Sequence, residues 1–446
     1  MNADGSVPVA LIAKCIEQHL KDIPRLKKLD DYVDGRHEIL KRILDEDVPN
    51  IKLVANHAEY ISSIAVGYVH GTPVSYSGEG SQYLNELYDE IEENAHNAEL
   101  GVDMSVFGRA YELIFMNTDE VPLPELAVLP VFTTNVVCDT TVKHKSMFAF
   151  SYTPNTDIND YVTGYTVHIY CKGYIDTYTC TNLRQASSYQ FVSREESFFG
   201  KVQVTEYRNN KKGRGDFEGV LTLIDAYNLL QSDRMNDKEQ LLDALLAIEN
   251  GSLGDDETER SETARLIKKE KILELDQGGK AYWVSKTMNE SQVEILKKAI
   301  KDDIHEFSKV PCLTDENFVG NSSGIAMKYK LLGLEDLGST KEQYFKRGLK
   351  RRTKMVGNIF NIIGIAFRAS DISANMKRTL PVDDQTQAAI AKDTEGFLSW
   401  ETRVQRYDPD IDVEDERRKL QQEKMETITE KQKAFGSYDF KNMGDD

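Results

Sequence analysis

The positions of the prolines are the strongest constraint that this sequence places on its fold. Residues 155–310 contain no proline, and after Pro311 the next proline comes only at Pro381. Proline removes a backbone hydrogen-bond donor and clashes with the preceding turn of a helix. Stretches without proline therefore permit long, uninterrupted elements. The sequence favours such elements on both sides of Pro311.

Apolar residues recur at helical spacing in both of these stretches. From Val220 to Ile248 they recur every three to four residues, which predicts one long helix. A second long helix is predicted to start near Thr340, because Phe345, Leu349 and further apolar residues recur at the same spacing.

The rest of the chain divides by its periodicity. Residues 9–120 are predicted to be mostly helical, with one amphipathic helix over residues 81–101. Residues 121–210 are rich in Val, Thr, Tyr and Phe, which predicts several antiparallel strands. A last, highly charged helix is predicted from Val413 to about Lys433.

A small unit of helix and strand is predicted between the two long helices. It begins with a polar loop over residues 251–263, and residues 266–276 and 280–286 are predicted to be strands. A capped helix is predicted from Asn289 to Lys309, and Ser322 or Ser323 is predicted to cap a further short helix.

The charge balance argues against an extended nucleic-acid-binding surface. The chain has 74 acidic residues and 55 Lys plus Arg, a net charge of −19, and phosphate binding requires cations. One segment is locally basic, with Lys346, Arg347, Lys350, Arg351, Arg352 and Lys354. Two interpretations are open: a solvated face paired with neighbouring acids, or a local contact with a polyanion.

We find no known catalytic motif. The sequence has no phosphate-binding loop of the GxxxxGK[ST] type, no GxSxG, no HExxH and no GxGxxG after a strand. The eight histidines are scattered, and the five cysteines form no CxxC pair, so we expect a reducing compartment without structural zinc. The acidic run Asp408–Glu414 has Val413 where an EF-hand loop needs glycine, which favours a solvated acidic turn.

These observations predict no catalytic residue, no cofactor and no bound metal. A soluble metal-dependent nucleic-acid enzyme with an unrecognised site stays open as an alternative. Since no run of eighteen apolar residues occurs and the first residues lack a basic leader, neither a membrane-spanning helix nor a signal peptide is expected.

The predicted elements cannot all bury their apolar faces within one subunit. A long helix enters a small insertion, a short helix returns from it, and the last helix carries few large apolar residues. The natural way to cover such faces is oligomerisation.

A series of motifs, in order along the chain, resembles one known family. They are YVDGRHEIL (32–40), PNIKLVANHAEYI (49–61), VGYVHGTPVSY (66–76), FGRAYELIF (107–115), YRNN (207–210), GDFEGVLTLIDAYNLLQSDRMND (215–237), SSGIAMKYKLLGLEDL (322–337) and LSWETRVQRY (398–407). The family is that of the portal proteins of long-tailed double-stranded DNA phages, as found in phages of Gram-positive bacteria. The chain departs from it at Gln203, where the family often has proline, and in its short C-terminal region.

The resemblance implies an α+β, mainly helical fold with four regions that assembles into a ring. The implied regions are a wing (1–215), a first stem helix (216–249), a clip (250–311), a second stem helix (312–332), a tunnel loop (333–340), a wing helix and strand (341–380) and a crown (381–446).

The resemblance also implies the function. Portal proteins form a ring of twelve at one capsid vertex of the virion. The ring is the channel through which DNA is packaged and ejected, and the docking site for terminase and later for the head-tail connector. The implied partners are further copies of the chain, double-stranded DNA, the terminase large subunit, the major capsid or scaffolding protein and the connector. The resemblance implies assembly in the host bacterial cytoplasm and no enzymatic activity.

Two groups of site residues follow from the resemblance. Those expected near DNA are Leu334, Glu335, Asp336, Leu337, Gly338, Ser339 and Thr340 of the tunnel loop, with Lys328 and Lys330. Those expected to dock partners at the clip are Tyr282, Trp283, Gln292, Lys297, Lys298 and Phe307. For Trp283, a place in the clip core or at a subunit contact is the alternative.

Overall fold

The chain divides into two compact units, Met1–Thr379 and Leu380–Asp446. The computed structural model describes residues 6–45, 48–118, 122–242, 245–249, 256–270, 279–284, 290–314, 329–379, 392–407 and 413–436. Within these ranges no helix combines the length and the apolar character that a membrane crossing requires.

The helices of the first unit lie before and after a strand-rich middle. They are α1 (Val9–Leu20), α2 (Ile23–Val33), α3 (His57–His70), α4 (Ser81–Glu90), α5 (Glu93–Phe107), α6 (Leu221–Leu242), α7 (Glu257–Glu270), α8 (Glu290–Ser308) and α9 (Leu332–Ile362). The second unit contains α10 (Trp400–Tyr407) and α11 (Val413–Gly436). The predicted helices near 289–309 and 413–433 are thus confirmed.

The strands are all antiparallel. They are β1 (Ser75–Ser77), β2 (Arg109–Met116), β3 (Pro124–Leu129), β4 (Thr134–Cys138), β5 (Ser146–Thr156), β6 (Val162–Tyr170), β7 (Tyr174–Cys180), β8 (Gln190–Glu196), β9 (Val204–Arg208), β10 (Leu245–Glu249), β11 (Lys280–Val284) and β12 (Ser373–Asn375). The main sheets have the orders β3-β2-β9 and β4-β5-β6-β7-β8, while β1 pairs with β12 and β10 with β11. The mixture of helices and antiparallel sheets confirms the α+β class.

The long helix α9 is the central element of the first unit. Phe345 and Leu349 of α9 pack against Leu100 of α5, Ala110 of β2 and Tyr207 of β9. Nearly two turns further on, the apolar face of α9 continues against α4. The five-stranded sheet has a separate core, which it shares with α1. The three-stranded sheet therefore owes its position to α9, and the five-stranded sheet to α1.

The stem helix predicted to end at Ile248 ends earlier. Helix α6 stops at Leu242, and Leu245–Glu249 forms strand β10, paired with Lys280–Val284 of β11. The apolar run was compatible with both structures, and the pairing with β11 decides in favour of the strand. The strand predicted over residues 280–286 is confirmed from Lys280 to Val284.

Two further helix boundaries differ from the prediction. The polar loop predicted over residues 251–263 ends before residue 257, where α7 begins. Residues 266–270, predicted to start a strand, are instead the last residues of α7. The carboxylate of Asp256 accepts a hydrogen bond from the Glu259 backbone at 2.8 Å and so caps the helix. The predicted helix over 81–101 is broken between α4 and α5, where Glu92 has a left-handed φ of 51°. Of the helix predicted to follow Ser322 and to run to Leu337, residues up to 328 lie outside the described residues, whereas residues 329–330 are helical and residues 332–337 belong to α9.

One substitution tests how closely α9 approaches the sheet. A Cβ at Gly348 would overlap the ring of Tyr207, whereas a Cβ at Gly67 of α3 would meet nothing within 4 Å. We expect Gly348→Ala to lower the free energy of unfolding by about 1–3 kcal/mol, because the core cannot take the extra methyl group. Gly67→Ala should leave it unchanged or raise it by up to about 1 kcal/mol. Urea unfolding followed by circular dichroism measures both, and equal effects would contradict the close approach.

Candidate functional site

The segment expected to be a tunnel loop is the beginning of α9. Residues 333–340 are helical, and the helix starts at Leu332 rather than near Thr340. The prediction that these residues form a loop was therefore wrong. Leu334 and Gly338 are buried, whereas Asp336 and Thr340 are exposed. The exposed face of this first part of α9 remains the candidate for DNA contact.

The glycines of this segment explain the error. Glycines at both ends of a short polar stretch are compatible with a turn, but neither Gly333 nor Gly338 has a positive φ. A Cβ at Gly338 would lie 3.0 Å from the ring of Tyr68 in α3. Glycine at position 338 therefore serves the close packing of two helices rather than backbone freedom.

Polar contacts hold the same segment against the body of the unit. Glu335 accepts a hydrogen bond from the Tyr68 hydroxyl and lies 3.4 Å from Arg378, and Asp336 pairs with Lys309 at the end of α8. Of the two lysines expected beside it, Lys330 is half-buried and Lys328 lies outside the described residues.

The basic cluster of α9 is not one surface, because Arg352 is fully buried. Its guanidinium donates to Glu112 of β2 at 2.8 Å and to the side-chain oxygen of Asn97 at 2.9 Å, and it pairs with Glu93. The His96 ring also contacts this network, with its Nε2 3.1 Å from the Glu112 carboxylate. Arg352 is thus a core residue and has no place in a contact with a polyanion.

Hydroxyl groups complete this buried network. The Tyr207 hydroxyl donates to Glu112 at 3.1 Å, and the Tyr76 hydroxyl donates to Glu93 at 2.6 Å. Burial by itself would raise the pKa of Glu112, but Arg352 and His96 outweigh it and hold the pKa below its ordinary value. The sequence contained a signal that we missed: Glu112 interrupts the apolar strand AYELIF, and a charge in such a place requires a buried partner.

The other five cations of the cluster differ in their surroundings. Lys346 pairs with Glu342 at 2.6 Å, and Arg351 donates to the backbone oxygen of Val202 at 2.8 Å. Arg347, Lys350 and Lys354 are exposed on the outer face of the helix. Pairing with a neighbouring acid therefore applies to Lys346, whereas a contact with an anionic partner is restricted to the three residues of the outer face.

A second buried ion pair fixes the beginning of α9, and no sequence pattern predicted it. Lys341 pairs with Asp216, which also accepts a hydrogen bond from Ser105 of α5 at 2.6 Å. Both charged side chains are almost wholly buried. This pair connects α9 to the chain just before α6, so the position of α6 depends on it.

The residues expected at the clip lie on β11 and α8. Tyr282 and Trp283 stand opposite Ala247 and Leu246 of β10. On α8, Gln292 and Lys298 are exposed, Phe307 is 66% exposed, and Lys297 lies 3.2 Å from Glu294. Helix α8 is joined to α6 by ion pairs, namely Arg234 with Glu294 at 2.8 Å and Lys238 with Glu290 at 3.1 Å.

Two small cavities accompany these elements. One, of about 240 Å³, lies between α3 and α8, where the ring of His57 packs edge-on against Tyr227 and His305. The other, of about 170 Å³, is lined by residues that include His70 and Asn97. Among the described side chains, no group of three or more His, Cys, Asp or Glu is arranged to hold a metal ion.

The electrostatics of the first cavity make it sensitive to acid. Burial, together with the neighbouring His305, Lys301 and His37, lowers the pKa of His57 to about 4. The unfolded chain binds this proton near pH 6.5, so the free energy of unfolding falls as the pH drops from about 6.5 to about 4.

Loss of the buried guanidinium should be costly. We expect Arg352→Met to lower the free energy of unfolding by about 3–5 kcal/mol, because two carboxylates are left buried without their cation. Arg347→Met, on the exposed face, should change it by less than about 0.5 kcal/mol. Urea unfolding of both variants measures the difference. Adding Glu112→Gln to Arg352→Met should cost less than the sum of the single changes, and additive costs would contradict a coupled network.

The acid sensitivity can be assigned to His57 by substitution. We expect His57→Gln to flatten the decline of the unfolding free energy between pH 6.5 and pH 4, since the substituted side chain takes up no proton on unfolding. The exposed His144 provides the matched control, His144→Gln. Urea unfolding at several pH values gives the slopes, and an unchanged slope for His57→Gln would refute the assignment.

A family model described as phage portal protein, SPP1 Gp6-like, matches residues 12–430. A relative named portal protein, from the Clostridium phage phiCD119, is 26% identical over 225 residues, which make up 50% of this chain. The chain matches about half of that relative, 48% of its length.

A solved structure is also similar. It is a chain from the neck of an empty GTA particle, computed with C6 symmetry, with 14% identity and a TM-score of 0.42. The similarity covers 78% of this chain and 89% of that one. The family match is the decisive comparison, because it spans most of the chain and confirms the resemblance seen in the motifs. The chain belongs to the SPP1 Gp6-like family of phage portal proteins.

Proposed function

We propose that this protein is the portal subunit of a tailed phage and forms a ring of twelve at one vertex of the capsid. DNA passes through the ring during packaging and ejection. The observation that carries this proposal is the family match over residues 12–430. The proposal places the protein in the virion, after assembly in the cytoplasm of the host bacterium, and assigns it no enzymatic activity.

Uncovered apolar side chains on α6 and α8 support assembly into an oligomer. Leu229 and Met235 of α6 are 46% and 41% exposed, and Ile295 and Leu296 of α8 are 70% and 51% exposed. Apolar groups in such a number on two adjacent helices are typical of a protein interface. In a ring, each subunit would cover part of this surface on its neighbour.

The proposed channel surface is the exposed face of the beginning of α9. Asp336 and Thr340 are its exposed members, Leu334 is buried, and Gly338 packs closely against Tyr68 of α3. A channel that DNA slides through must not bind phosphates tightly, because each cationic contact adds affinity. An acidic or neutral lining and a net charge of −19 per subunit suit this requirement.

The proposed docking surface for the motor and the connector is the unit built from β10, β11 and α8. Phe307, Gln292 and Lys298 are exposed there, and an apolar side chain among polar ones is the usual composition of a docking surface. The terminase large subunit would bind during packaging and the connector afterwards. The capsid or scaffolding protein would contact the ring at the vertex.

The native mass tests the proposed ring. We expect the purified protein, alone or produced together with its capsid and scaffolding proteins, to form rings of about twelve subunits with a central opening, because the exposed faces of α6 and α8 need covering. Light scattering combined with negative-stain images measures the subunit number. A monomer or dimer under all of these conditions would overturn the proposal.

Added cations should retard DNA if the beginning of α9 lines the channel. We expect Asp336→Lys/Thr340→Lys to slow DNA packaging and to make the slowing weaker at high salt, because new phosphate contacts form. The control Glu38→Lys/Gln18→Lys adds the same charge at exposed positions of the N-terminal region. Packaging rates with purified proheads and terminase provide the measurement. Equal rates for both variants, with rings intact, would reject this lining but not the ring.

A further inference from the structure

The outer face of α9 carries cations without acidic partners. Arg347, Lys350 and Lys354 are exposed, and none of them forms an ion pair with a described residue. They follow one another at intervals of three and four residues, so they lie on one face and extend over about 10 Å of the helix. In a chain with 19 excess negative charges, such a face is an exception.

The neighbouring segment adds to this positive charge. Burial lowers the pKa of Lys201, and the nearby cations Arg351 and Lys354 lower it as well. Arg351 donates to Val202, but its Nε has no partner among the described residues. Like charges held together in this way repel one another, and an anionic partner would relieve the repulsion.

An acidic face lies elsewhere on the same unit. Residues 71–108 contain no Lys or Arg, and helix α4 with its flanks exposes a series of carboxylates. They are Glu79, Glu86, Asp89, Glu90 and Glu92. None of them pairs with a cation in the part of the chain that the structure describes. The acidic face is thus as free of compensating charge as the basic one.

The helix that carries the acidic face, α4, packs on a different side of α9 from the side that carries the basic face. Helix α4 contacts α9 through Tyr83 and Phe360, whose rings are 6.5 Å apart. At about 100° per residue, Phe360 points about 120° away from Lys354 and about 140° away from Arg347. A subunit cannot join its own two faces, but two subunits placed side by side can.

We propose that the basic face of α9 binds the acidic face of α4 on a second copy of the chain. Because the two faces differ, the contact is head-to-tail, and each subunit uses both faces. Repetition of such a contact builds a ring when the rotation closes. This inference rests on the proposed ring and identifies the charged contact between its subunits. Duplex DNA, the other anionic candidate, would be repelled by the acidic remainder of the chain.

Charge reversal gives the test. The first variant is Arg347→Glu/Lys350→Glu/Lys354→Glu, and the second is Glu86→Lys/Asp89→Lys/Glu90→Lys. Each makes both faces alike in sign, so we expect each variant alone to lose ring formation. An equimolar mixture should form rings in which the two variants alternate, since both contacts are then attractive. Mass photometry and negative-stain images measure the rings, and native mass spectrometry measures the alternation.

A matched control separates this effect from the change in net charge. Lys14→Glu/Lys27→Glu/Lys172→Glu reverses the same number of exposed cations elsewhere as the first variant, and it should leave ring formation as in the wild type. Circular dichroism verifies that all variants are folded. Wild-type rings should also dissociate more readily as salt rises from about 0.1 M to about 1 M, where the screening length falls from about 10 Å to about 3 Å.

The remaining outcomes decide against the inference. If the wild type forms rings and the first variant does so equally well, the proposed contact is wrong while the portal function stands. If that variant forms rings but loses binding of a labelled 30-base-pair duplex in fluorescence anisotropy, the basic face is a DNA site instead. If the single variants fail and their mixture also fails, the two faces are not partners. If the wild type forms no ring at all, the proposed function itself is at fault.

Discussion

The burial of Arg352 between Glu93 and Glu112 is the interaction on which the first unit depends. It joins the long helix α9 to α5 and to the middle strand of the three-stranded sheet, in a place that water does not reach. Two carboxylates in such a place are tolerable only with a cation that reaches both of them. A guanidinium suits this task because it is planar and donates in several directions at once.

This anchor sets the rotation of α9 about its axis, and the rotation decides which of its charges are available. With Arg352 directed inwards, Arg347, Lys350 and Lys354 are directed outwards. The same rotation turns Gly338 towards Tyr68 of α3, where space is tight, and Gly348 towards Tyr207, where only a hydrogen atom fits. The candidate channel surface and the proposed subunit contact are therefore two consequences of one buried network.

Sequence patterns predicted the elements well where one local signal dominated. The amphipathic spacing of α8 and the strand-rich middle needed no tertiary information, and the order of the motifs led to the portal family. The predictions failed where two local signals competed. Leu245–Glu249 has an apolar run that suits a helix as well as a strand, and its partner β11 made the choice. Gly338 suits a turn as well as a close packing of helices, and Tyr68 made the choice.

The sequence by itself determined the α+β class, the long proline-free elements, the excess of acid and the family, because these follow from composition, periodicity and the order of motifs. Only the tertiary structure decided which member of the basic run is a core residue. Lys350, Arg351 and Arg352 are neighbours in the chain and alike in charge, and one-dimensional patterns treat them as one cluster. Their environments differ because partners more than two hundred residues away, Glu93 and Glu112, meet only one of them.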